Sequence, residues 1–66
     1  MTLNDFLDLV DDLQNMQLVY EGFSLKGKKE VIGYLLNEDV YKGTVFAVEA
    51  EDDVLKVFVK EENHAS

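Results

Sequence analysis

The carboxylates of the first dozen residues are the groups in this chain best placed to act together. Asp5, Asp8, Asp11 and Asp12 stand three or four positions apart, and no Lys, Arg or His precedes Lys26. On a helix that spacing sets like charges about 5–6 Å apart, each pair costing roughly 0.2–0.5 kcal/mol. Asp11 and Asp12 would also lie toward the helix C-terminus, where the macrodipole favours cations. Carboxylates so placed suit proton transfer, cation binding or electrostatic capture of a basic surface. Proton transfer needs one carboxyl buried enough to raise its pKa, and these positions fall on a solvent face. The expectation is therefore an acidic helix that docks a basic protein surface, set against the plainer reading of a solvated face that keeps a small protein soluble.

Glu51, Asp52 and Asp53 form a second acidic group, able to join the helix or Asp39 in one negative field. An EF-hand loop needs acids at alternate positions, a central glycine and a Glu at the twelfth position, and no segment has that pattern. Lys26, Lys28 and Lys29 concentrate half of the six lysines in one turn. Among the aromatic residues, Tyr41 and Phe58 are assigned to an interface, and Tyr20, Tyr34 and Phe23 to the core. Catalysis has little to draw on. His64 is the sole histidine and lies in the C-terminal tail, cysteine is absent, Ser24 and Ser66 have no base, and Gly22, Gly27 and Gly33 are isolated. The reading is a non-enzymatic chain with no cofactor and no metal.

The elements that must position these residues follow from periodicity. Thr2 caps a helix with Asp5 at its third position, and Leu3, Phe6, Leu7, Val10 and Leu13 recur on one face, so residues 3–15 read as an amphipathic helix about 20 Å long with the aspartates opposite. Beyond Gln17 the chain is rich in β-branched and aromatic residues, and strands are expected over 18–24, 30–36, 44–50 and 54–60. Lys26-Gly27 reads as a hairpin turn, Asn37-Glu38-Asp39 as the start of a longer connection to Lys42-Gly43, and 51–53 as the last hairpin turn.

Pairing Ala50 with Leu55, Val48 with Val57 and Phe46 with Val59 places six apolar side chains toward the helix, with Glu49 opposite Lys56 on the other face. Phe58, Val45 and Ala47 are then left on a face that one short helix cannot cover. Curvature, the loop around Tyr41, a second copy or a partner would have to cover it.

Composition narrows the function classes. Sixty-six residues form one domain, with 61–66 expected as a flexible tail, and a chain so short buries only about 60% of its unfolded surface. An apolar content of 47% is too high for a disordered acidic segment. Without cysteine, a reducing cytoplasm is the natural compartment. A net charge of -8 and the lack of arginine disfavour direct contact with nucleic acid or an anionic membrane. In charge and size the chain is similar to small inhibitors made by phages and mobile elements, nucleic-acid mimics among them, a likeness that carries over no residue. The expected fold is α+β, one N-terminal helix on an antiparallel sheet of about four strands, acting as an interaction module or inhibitor. Self-association through the sheet face is the alternative.

Overall fold

The computed structural model describes residues 1–61. The expected tail therefore lies, apart from Glu61, outside the described residues, as does His64. The fold is α+β: a four-stranded sheet with three short helices against one face. In chain order the elements are α1 (Leu3–Leu7), β1 (Asn15–Tyr20), β2 (Phe23–Lys28), α2 (Lys29–Leu35), α3 (Glu38–Tyr41), β3 (Thr44–Glu51) and β4 (Val54–Lys60). No helix among the described residues is long and apolar enough to cross a membrane.

The sheet order is β2-β1-β4-β3. Both hairpins are antiparallel, but β1 runs parallel to β4, so the sheet is mixed where an antiparallel one was expected. The central strands supply half of the buried core, Met16, Leu18, Val57 and Val59, and Leu3, Leu7, Ile32 and Val40 close over them from the helices. Burying each such side chain contributes about 1.5–3 kcal/mol. Among the described residues no polar or charged side chain is buried.

The N-terminal helix is far shorter than residues 3–15. Thr2 caps it as expected, its Oγ1 accepting from the Asp5 N–H at 3.2 Å, but Asp8 already forms the C-cap. Leu9 and Val10 then donate to the carbonyls of Phe6 and Leu7 in tight turns, and the Asp11 carboxylate accepts from the Leu13 N–H at 2.8 Å. An aspartate side chain that binds nearby backbone offers the chain an alternative to helix, and no basic residue there offsets the carboxylates. Leu9 and Leu13 end up exposed.

The stretch 18–24, expected as one strand, is broken by a two-residue turn at Glu21 and Gly22, whose φ values of 39° and 91° match the sheet twist of a tight hairpin. Lys26-Gly27 is consequently no turn. Gly27 lies within β2 opposite Met16, beneath Val31 and Ile32 of α2.

Residues 30–35 are helical where a strand over 30–36 was expected. The first N–H groups of α2 find ready acceptors, Lys29 N–H donating to the Gln14 carbonyl and Glu30 N–H to that of Asp12. Ile32 is the one α2 side chain buried in the core, so tertiary packing overrides the strand preference of Val31-Ile32. The 37–39 connection is likewise the start of α3, with Asn37 Oδ1 accepting from the Val40 N–H.

The final hairpin follows the expected register at Ala50 with Leu55, Val48 with Val57 and Glu49 with Lys56. It departs at the far end, where a bulge pairs Val45 with Val59 and leaves Phe46 as the extra residue. The bulge turns Phe46 onto the open face, 6.2 Å from the Phe58 ring, and sends Val45 to the core side. Val48 keeps the helix side but stays partly exposed, because α1 is too short to reach over it.

Gly43 is packed where no side chain fits. A Cβ there would lie 2.6 Å from Val59 Cγ1 and 2.9 Å from the Lys60 carbonyl oxygen. Gly43→Ala should therefore lower stability by about 1–3 kcal/mol, seen as a lower urea midpoint at unchanged m-value.

Candidate functional site

The acidic groups converge, though not as a straight stripe. Leaving α1, the chain turns through Asp11 and Asp12 to the end of the sheet where β1 starts and β3 returns into β4. There Gln14 Nε2 donates to the Asp53 carbonyl at 2.8 Å and to that of Asn15 at 3.0 Å, fastening the 11–14 turn to the 51–53 turn across 39 positions of sequence. Asp52 and Asp53 adopt φ values of 49° and 65°, a two-residue hairpin turn that aspartate tolerates better than most residues. Gln14, Glu51, Asp52 and Asp53 border an open cleft of about 300 Å³.

Not every carboxylate at this end is free. Asp12 receives a 2.9 Å hydrogen bond from Lys29 Nζ, and the Asp11 carboxylate holds its own turn. Asp8 adds its charge to the field around Lys29. Asp52, Asp53 and Glu51 are exposed. Asp5 stands apart, in the first turn of α1. The expected surface is thus redistributed: Asp11, Asp12, Glu51, Asp52 and Asp53 share one end of the molecule. No group of three or more acids or histidines among the described residues is arranged to hold a metal ion.

The two aromatic interface candidates separate. Tyr41 is half-buried, and its hydroxyl donates to the Gly33 carbonyl, tying α3 to α2. Phe58 lies on the sheet face opposite the helices, with Phe46, Val19 and Ala47 around it in the cross-strand register and Lys56 Nζ 5.5 Å from its ring centroid. Phe46 is 59% exposed. Since every helix packs on the other face, this patch has no covering layer among the described residues.

Gln14 was not singled out from sequence, Lys29 was read only as one of three lysines in a turn, and Phe46 was placed on the core side opposite Val59. Gln14 and Lys29 act through contacts distant in sequence, which no local pattern reveals. Phe46 did leave a trace: Val45-Phe46-Ala47-Val48 is a continuous apolar run where a strand with one wet face should alternate.

Among the described residues, two groups have shifted pKa values. Lys29 is raised above 10.5, first by the hydrogen bond to Asp12, and Tyr20 above 10.0, first by desolvation and then by Glu61, Glu21 and Asp39. Each binds its proton more tightly in the folded chain. The stability this confers is complete below the ordinary values and is lost as pH rises through the raised ones. Thermal unfolding followed against pH should show Tm falling above pH 10.0–10.5. Lys29→Met should lower Tm at neutral pH and flatten that alkaline decline, and an unaltered profile would remove Lys29 from the account. No protein-family model matches the chain, and no curated protein or solved structure matches it either.

Proposed function

We propose that this chain is a non-enzymatic interaction module that docks a basic protein surface through its acidic end. The observation that supports it is the Gln14 clasp, which holds the Asp11-Asp12 and Asp52-Asp53 turns together despite their like charge. Separated charges at that end would repel less, so the arrangement concentrates negative potential at the expense of stability. Such a field speeds encounter with a basic partner, while residence requires apolar contact. Phe58 and Phe46 offer that contact on the adjoining sheet face, Phe58 lying about 13 Å along β4 from the acidic turn.

Docking of this kind weakens with salt, since exposed charges are screened beyond about 8 Å at physiological ionic strength. A basic protein captured from the source cell at low salt and released by raising it is the expected ligand. The variant carrying Asp11→Asn, Asp52→Asn and Asp53→Asn keeps one acceptor oxygen on each side chain but removes the charge, and should bind that ligand about tenfold or more weakly. Equal affinity at low ionic strength would overturn the proposal. Light scattering tests the alternative, self-association through the sheet face: a dimer of the wild type that Phe58→Lys dissociates would assign the aromatic patch to a second copy.

A further inference from the structure

The charges of the open sheet face run in rows across the strands. In one row Lys26 on β2 lies opposite Gln17, Gln17 opposite Lys56 and Lys56 opposite Glu49 on β3; in the next, Lys28 lies opposite Asn15, Asn15 opposite Val54 and Val54 opposite Glu51. Both rows begin with a lysine at the β2 edge and end with a carboxylate at the β3 edge. Both edges are also open. Among the described residues, no turn, loop or cap hydrogen bond engages the backbone of residues 23–27 or 46–51, whereas the start of β3 is capped by the N-terminus, Val45 N–H donating to the Met1 carbonyl and Thr2 bridging Thr44.

The strand directions make the two edges compatible. β2 is antiparallel to β1, β1 parallel to β4 and β4 antiparallel to β3, so β2 and β3 point the same way. A second copy laid alongside in the same orientation continues the sheet as a parallel pair, with Phe23–Lys28 set against 46–51, the part of β3 that the N-terminus leaves free. Lys26 then faces Glu49 and Lys28 faces Glu51, while Leu25 meets Val48 and Gly27 meets Ala50 on the helix side. The symmetric alternatives bring lysine to lysine at β2 or glutamate to glutamate at β3, and like charges directly opposite destabilise a strand pair.

We propose that copies of this chain assemble edge to edge, β2 of one beside β3 of the next, in a head-to-tail array selected by the Lys26/Lys28 and Glu49/Glu51 pairs. The contact is heterologous and adds copies without closing unless the sheet twist brings the ends round. Its net charge does not forbid it. Neighbouring acidic ends would lie about 19 Å apart, four strand spacings, beyond the roughly 8 Å over which salt at 0.15 M leaves charges in contact, whereas the paired lysines and glutamates lie within it. The inference stands independently of the partner that the acidic end docks.

A chain without cysteine allows a direct test. Lys26→Cys and Glu49→Cys chains, one carrying a mass tag, are mixed in equal amounts in a glutathione redox buffer at physiological salt. Residues directly opposite across a strand pair lie within the span that a disulfide bridges. The mixed disulfide should exceed either homodimer by about tenfold. A statistical distribution, or predominance of one homodimer, would overturn the proposal. Sedimentation supplies the second arm: the wild type should self-associate, Lys26→Glu with Lys28→Glu should be monomeric with an unchanged far-ultraviolet spectrum, and adding Glu49→Lys with Glu51→Lys should restore association. A wild type that stays monomeric, or a fourfold variant that fails to recover, would equally overturn it.

Discussion

The parallel pairing of β1 with β4 is the constraint on which the other contacts depend. Leu18 lies opposite Val57 in that pair, and both are fully buried. Each hairpin alone is a two-stranded ribbon of marginal stability in water, and only their junction makes a sheet with an apolar face wide enough for helices to cover. Leu3, Leu7, Ile32 and Val40 all find their burial against that joined surface. The charged features are secondary to it. The Gln14 clasp works because β1 and β4 begin side by side, Asn15 opposite Val54.

Local chemistry was legible in the sequence wherever it was strong. The β3–β4 hairpin, its acidic turn and three of its pairings follow from alternation and from Glu49 facing Lys56. The Thr2 cap follows from residue type. What could not be read depended on partners remote in sequence. Val31-Ile32 has the composition of a strand, yet the carbonyls of Asp12 and Gln14 and the burial of Ile32 in the core make helix the better solution there. The long N-terminal helix failed because the aspartates that mark its polar face also bind backbone and accumulate charge near its end. The parallel join has no local signature, since it connects segments almost forty residues apart.

For the candidate site, residue types were legible and their arrangement was not. The sequence places the carboxylates on one straight rod. The structure instead bends the rod after Leu7, neutralises Asp12 with Lys29 and gathers the remaining charge with the 51–53 turn. The uncovered aromatic face was anticipated from Phe58, but the bulge exchanges Val45 for Phe46 as its neighbour. One irregular residue in β3 therefore shifts an aromatic ring from the core side to the surface. Edge bulges commonly re-aim side chains in this way.

The position of β4 has a kinetic consequence. It is the last of the strands in chain order, yet it occupies the interior of the sheet between β1 and β3. As the polypeptide leaves the ribosome, Met16 and Leu18 have only β2 beside them, with Leu25 opposite Leu18, until β4 emerges on their other side. The nascent chain must hold its first hairpin and helices loosely and condense in one late step, with most of the closure entropy fall taken at once.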